Sequence, residues 1–273
     1  KGVVLVADPP PSPPEQKRDV YAGASVNDIY QRIAGGGDFL PLGQTFRTWA
    51  GLCVGMNSDA YASAGKEIYI RAGGIGDFVA LGAPIVPVIT VGHFWGMCAA
   101  PNGDIYVSHY TGGNPNDIYK RAGGVGNFVG TGAPSGKQWT HLCASANGDI
   151  YAAHTNYTVA DIYKRTGGVG PWSALGLNNF IGWEGLGAGV DGTIYASSNY
   201  GGPDVYNSIN EGVSFSAMGQ GVKVWQGMGT TKNGDIYVGA ASGDIWMLPS
   251  GGSNFIAQGQ ANRYWTCIGS RMF

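Results

Sequence analysis

A seventeen-residue pattern returns six times along this 273-residue chain, and that repetition limits the fold more than any other feature. The copies are NDIYQRIAGGGDFLPLG (27–43), KEIYIRAGGIGDFVALG (66–82), NDIYKRAGGVGNFVGTG (116–132), ADIYKRTGGVGPWSALG (160–176), PDVYNSINEGVSFSAMG (203–219) and GDIWMLPSGGSNFIAQG (243–259). A second module alternates with the first, as in FWGMCAAPNGDIYVS (94–108) and WTHLCASANGDIYAA (139–153), with further copies at 49–63, 183–197 and 225–239. Its sixth copy is split: WTCIGSRMF stands at 265–273 and RDVYAG at 18–23.

The spacings hold where the residues vary. In the second module ten residues separate Trp49 from Asp59, Phe94 from Asp104, Trp139 from Asp149, Trp183 from Thr193 and Trp225 from Asp235. In the first, eleven separate Asp28 from Phe39, Glu67 from Phe78, Asp117 from Phe128, Asp161 from Trp172, Asp204 from Phe215 and Asp244 from Phe255. Four residues later a glycine follows each time, at 43, 82, 132, 176, 219 and 259.

Each repeat therefore contains four short β-runs separated by turn signals: A (W-x-G-L-C), B (DIYA), C (DIYKR) and D (FVALG). Asn-Gly and Asp-Gly pairs such as Asn147-Gly148 and Asp191-Gly192 join A to B in tight hairpins, and the glycine cluster joins C to D. No segment sustains an amphipathic helical period with caps. Six four-stranded units predict an all-β chain, a six-bladed β-propeller over residues 17–273. The split repeat predicts closure, with strand A from 263–271 pairing with strands B, C and D from 18–43 in one blade and hiding the edges of an open ring. Along strand A, Cys53, Cys98, Cys143, Gly187, Gly229 and Gly269 are expected where blades crowd the axis. Leu52, Met97, Leu142, Leu186, Met228 and Ile268 would fill the space between blades, and the aromatics of A and D would form the outer packing layers.

Composition agrees. There are 48 glycines without a collagen period, and aromatics at 12% argue against disorder. A net charge of −2 lacks the basic surplus of a nucleic-acid binder, and no apolar run is long enough to insert in a membrane. Residues 1–16, KGVVLVADPPPSPPEQ, read as an arm or linker stiffened by prolines, and the missing initiator Met suggests processing or excision from a longer chain.

Catalytic and metal chemistry find little purchase, and no cofactor is expected. The glycine clusters lead into strands rather than helices, so they are turns and not phosphate cradles. Cys53, Cys98, Cys143 and Cys267 lack zinc spacing and read as buried free thiols. His93, His109, His141 and His154 fall only in blades 3 and 4, and His141, on strand A, points into the channel or core. SINEGVSF (208–215) is similar to a sialidase Asp-box with Asn210 in place of Asp, but Arg32, Arg71, Arg121 and Arg165 repeat at the end of strand C instead of converging. Lactonase-like propellers need a ring of acidic and Asn ligands in the channel, where strand A offers only Glu184. A sialidase- or lactonase-like hydrolase thus ranks third among the functional readings, and the expectation is a non-enzyme.

Variation is confined to one face. The A–B and C–D turns are uniform, whereas B–C runs 9, 8, 13, 12, 11 and 9 residues through the blades, and D–A is 12 before blade 3 but 6 or 7 elsewhere. Variable loops on a rigid frame are where recognition resides. The longest are SHYTGGNPN (108–116), AHTNYTVA (153–160) and SSNYGGP (197–203), which supply His109, Tyr110, Asn114, His154, Asn156, Tyr157, Asn199 and Tyr200 as candidate ligand contacts. Aromatic rings that stack on pyranose faces and amides that bond hydroxyls suit a sugar. Asn156-Tyr157-Thr158 is also a glycosylation sequon.

The pattern W…PNGDIY…DIYKR…F resembles the repeat of tachylectin-2-type lectin propellers, in which PNG-x-LYAV and a following G-x-LY strand alternate with Trp; six blades instead of five is a departure. The wording DIYKRAGGVGNFVALG…W-x-GM…NGDIYA also resembles repeats of bacteriophage tail-associated proteins. The first resemblance implies a glycan-binding module, the second host attachment or a structural role in a virion. The leading expectation is a propeller in a virion or outside a cell that binds a surface glycan or receptor, with the arm tethering it to other virion proteins. The alternative is a structural virion module whose variable face packs on a protein partner.

Overall fold

The structure, a computed structural model, describes residues 19–25, 28–33, 36–82, 85–86, 92–111, 116–155, 160–177, 181–260 and 262–273; the expected arm at 1–16 lies outside them. The repeats form six antiparallel sheets in the order A–B–C–D. Blade 1 joins strand A at Trp265–Ser270 to B at Val20–Ala24, C at Ile29–Arg32 and D at Leu40–Pro41. Blade 2 runs Trp49–Val54, Ala60–Ala64, Glu67–Arg71 and Val79–Ala80. Blade 3 runs His93–Ala99, Ile105–Tyr110, Ile118–Arg121 and Phe128–Gly130, and Ile85–Val86 from the long D–A connection adds a parallel fifth strand at its outer edge. Blades 4, 5 and 6 begin at Trp139–Ala144, Gly182–Ala188 and Trp225–Thr230. Each strand A packs against strand A of the blade on either side, and the series closes through blade 1. The chain is a six-bladed β-propeller. Among the described residues no helix is long and apolar enough to cross a membrane.

Strand A supplies the anchor of each blade. Trp49, Trp139, Trp183, Trp225 and Trp265 are buried, as is Phe94 in blade 3. Trp49 meets the strand-C ring of Tyr69 edge-on at 5.3 Å and the strand-D ring of Phe78 at 6.0 Å, and Trp183 treats Tyr206 and Phe215 the same way at 5.3 and 5.6 Å. These rings therefore bind the strands of one blade together rather than forming a separate outer layer.

The invariant spacings have a hydrogen-bonding cause. The first acid of strand C reaches across its own hairpin: Asp28 Oδ2 accepts from Gly43 N at 2.6 Å, and Asp161, Asp204 and Asp244 accept from Gly176, Gly219 and Gly259. The Asp before strand B binds the C–D turn, with Gly123 N donating to Asp104 Oδ1 at 2.8 Å and Gly167 N to Asp149 Oδ1 at 2.7 Å. Gly123 has φ 57°, which a side chain rarely tolerates, and this left-handed step aims its N–H at the carboxylate. The A–B and C–D turns are thereby tied together on one face. The turn glycines are structural.

Blades approach closely through the glycine of W-x-G. A Cβ added at Gly227 would lie 2.7 Å from Thr266 O and Cys267 Cα of blade 1, and one at Gly96 would collide with Thr140 O and His141 Cα of blade 4. Met97 and Met228 side chains sit over Gly51 and Gly185 of the preceding blade, filling the interblade space as expected. The four cysteines are buried free thiols, and burial pushes the Cys267 thiol up to about 12. The strand-C arginines do not converge: Arg71 donates to Gly76 O and Gln31 Oε1, while Arg121 and Arg165 lie over Phe128 and Trp172. The Asp-box-like segment closes on itself, with Asn210 Oδ1 accepting from Ser208 Oγ and Ser214 N.

Candidate functional site in the channel mouth

Strand B runs further into the variable loops than its sequence suggests. His109 lies within Ile105–Tyr110, His154 within Ile150–His154, and Asn199 and Tyr200 within Ile194–Tyr200. His109 is 1% exposed and packs on Phe94 at 5.2 Å; His154 is 2% exposed and packs on Trp139 at 6.0 Å. Both point into the blade because strand B continues its alternation past the expected boundary. They support the loops from inside and do not reach a ligand arriving from solvent. Asn114, Asn156 and Tyr157 lie outside the described residues. Tyr110 is half-buried, Asn199 likewise, and Tyr200 is exposed.

A cavity of about 610 Å³ opens where the channel meets this face. Every blade contributes at least one inner-strand residue to its wall, among them Ala50, Trp95, His141, Glu184, Gln226 and Thr266 in ring order. Backbone geometry explains why these side chains turn inward. In all six blades the A–B pairing is irregular beside the strand-A aromatic, as between Trp139 and Leu142 or Trp225 and Met228. Such bulges re-aim side chains and recur beside binding sites. Arg47 and Tyr264 from the D–A connections, and His93 at the start of strand A in blade 3, add to the wall. Further along the axis the channel narrows through Leu52, Met97, Leu142, Leu186, Met228 and Ile268 to a cavity of about 50 Å³, which Met272 and Phe273 line near the uniform face.

Two of the loop candidates reach this mouth through its residues. Tyr110 meets Trp95 edge-on at 6.1 Å and fixes the indole. Asn199 Nδ2 donates to Glu184 Oε1 at 2.9 Å. Burial pushes the Glu184 carboxyl up to about 7, and the Asn199 hydrogen bond offsets only part of that. His141 is 8% exposed, and neither ring nitrogen has a hydrogen-bond partner among the described residues. Burial pushes its imidazole down to about 4, with the nearby Thr266 backbone opposing, so it is neutral at physiological pH. The mouth thus offers an indole, an amide, a hydroxyl, a neutral imidazole and a carboxyl that changes charge near neutrality. Among the described residues no cluster of His, Cys, Asp or Glu is arranged to hold a metal.

The sequence carried a signal for this site. The residue after the strand-A aromatic reads Ala50, Trp95, Thr140, Glu184, Gln226 and Thr266, the least uniform position of an otherwise regular strand. The next residue is glycine in four blades, but His141 and Cys267 in the others. Variation inside a constant strand marks the axis as surely as loop length marks the rim.

No protein family model matches the chain, and no curated protein matches it in sequence. Solved structures do match. A chain of a nidogen/laminin complex superposes with a TM-score of 0.71 at 10% identity, covering 93% of this chain and 98% of that one. A streptogramin B lyase gives 0.65 at 15% identity, covering 92% and 87%. A gluconolactonase from Xanthomonas campestris gives 0.60 at 11% identity, covering 81% and 78%. At such identities the likeness shows the six-bladed propeller and nothing finer.

Proposed function

We propose that the chain is a non-enzymatic binding module that takes a glycan of a cell surface in the channel mouth. The observation that carries this reading is the cavity of about 610 Å³ with Trp95 on one side and Glu184, Gln226, His141 and Thr266 from four other blades around it. Its volume lies in the range of pockets that enclose small ligands. An indole face stacks on the apolar face of a pyranose, and short polar groups at fixed heights read its hydroxyls. The rigid inner strands hold these groups without an ordering cost at each binding event. The resemblance of the repeats to lectin and phage-tail propellers supports a surface glycan as the ligand and an extracellular or virion setting.

A glycan array followed by titration of the retained sugar tests the reading. Trp95→Ala is expected to weaken binding at least about tenfold, because an aromatic anchor in a desolvated pocket dominates such sites. Tyr110→Ala should cost less, acting through the pose of Trp95. Retention of no glycan at millimolar concentration would remove the proposal.

A further inference from the structure

Glu184 is the single acid in the wall of the mouth, and its surroundings are unusual for a carboxylate. Its one hydrogen bond comes from Asn199, and no ion pair among the described residues involves it. Arg47 lines the same cavity, but it and the other basic residues of this face lie over aromatic rings, and among the described residues none forms an ion pair with Glu184. Arg47 and Arg263 lie 4.7 Å over the strand-C rings of Tyr69 and Tyr30, Lys223 lies 4.4 Å over Trp246 and Lys137 lies 5.6 Å over Tyr163. His141, beside Glu184 in the ring of wall residues, is neutral and brings two nitrogens without partners. A partly buried carboxylate with no ion pair is costly; it either takes up a proton or recruits a positive charge. An indole facing the same cavity is the other group that attracts a cation.

Resting on the glycan reading above, we infer that the ligand carries a free, protonated amine, as in a non-acetylated amino sugar, whose ammonium pairs with Glu184 while its ring lies against Trp95. Asn199 holds the carboxylate in position, and a His141 nitrogen accepts one ammonium hydrogen. Binding then favours the ionised form of Glu184 and releases its proton, so affinity falls as pH drops through about 7. The other ionisable groups of the wall are His93, His141, Arg47 and Tyr264.

Three probes separate the possibilities: a glucosamine tetramer, its fully N-acetylated twin, and cyclohexylammonium, a charged six-membered ring that is not a sugar. Calorimetric titration is expected to give the amine tetramer an advantage of at least about tenfold over the acetylated twin. Glu184→Gln, a near-isosteric change that keeps an acceptor for Asn199, is expected to erase that advantage. Cyclohexylammonium is expected to bind more weakly at about pH 5.5 than at about pH 8, by roughly tenfold per unit below the Glu184 pKa, and Glu184→Gln should flatten that profile. Equal or tighter binding of the acetylated twin overturns the amine inference and leaves the glycan reading standing. Glu184-dependent binding of cyclohexylammonium with no sugar bound keeps the cation site and removes the glycan reading. Failure of all three probes overturns both.

Discussion

His141 stands where four blades have glycine, and its imidazole is buried in the channel mouth without a hydrogen-bond partner among the described residues. A base held neutral down to about pH 4 is protonated more readily in the unfolded chain, so stability is lost as pH falls from about 6.5 toward 4. His154, also lowered to about 4 mainly by burial, acts in the same direction. Glu184 acts in the opposite one. Its folded carboxyl holds a proton up to about 7, so it adds stability at low pH that disappears as pH rises from about 4.5 to 7. Each group is worth about 2 kcal/mol between pH 7 and pH 5, by linkage. The native protein is expected to lose about 2 kcal/mol over that interval, two losses against one gain. Glu184→Gln should lose about 4, and His141→Ala should be nearly flat. Urea midpoints at the two pH values measure this, and equal pH dependence in Glu184→Gln and the native chain would count against the raised Glu184 carboxyl. The two residues were visible separately in the sequence, His141 as an inward residue of strand A and Glu184 as its lone acid. Their shared cavity was not, because adjacent positions on the ring lie a whole repeat apart in the chain.

At the level of the hairpin, the glycines divide by what they permit. Those of the C–D turn, such as Gly123, permit a left-handed backbone step that presents an N–H to Asp104. Those of W-x-G permit two blades to touch. Gly227→Ala would place a methyl 2.7 Å from the Thr266 carbonyl and Cys267 Cα, backbone atoms that cannot swing aside. The expected cost is about 2–4 kcal/mol, in the range of overpacking and lost interblade contact. Gly170→Ala is the control, since its added methyl would meet only Thr166 O at 3.7 Å, and it should stay within about 0.5 kcal/mol of the native chain. Denaturant midpoints decide; a small effect at Gly227 would mean that the blades can part without penalty. The hairpins were legible because turn chemistry is local: Asn-Gly pairs, the Asp-to-Gly spacing and the alternation of DIYA each report on a few neighbouring residues. The ends of strand B were not. His109 and Tyr110 extend the strand because His109 packs on Phe94, fifteen residues earlier on strand A, and no turn residue at 108 announces the continuation.

Ring closure connects the fold to the site. Strand A of blade 1 pairs with strand B through Val20↔Ser270, Tyr21↔Gly269, Ala22↔Ile268 and Gly23↔Cys267. Its side chains also reach both neighbours: Thr266 Oγ1 donates to Trp49 O of blade 2 at 2.5 Å, and Ser270 Oγ donates to Thr230 O of blade 6 at 2.6 Å. Split repeats in the sequence announced this pairing, since the two half-modules complete one another. What they did not announce is that the closing strand also builds the channel mouth, to which it contributes Tyr264 and Thr266. Removing residues 264–273 should therefore do two things at once. It should expose the inner edges of blades 1, 2 and 6, giving a chain that aggregates or unfolds over a broad range instead of one cooperative transition. It should also abolish ligand binding, because the ring loses one sixth of its mouth. A peptide spanning 262–273 added in trans should restore both, since the edge it pairs with is otherwise intact, and restoration should track peptide concentration by mass action. Size-exclusion profiles and melting curves with and without peptide read the outcome. A truncated chain that stays monomeric with an unchanged melting curve would show that the closing strand is an accessory. Recovery of the melting curve without recovery of binding would separate closure of the ring from assembly of the mouth.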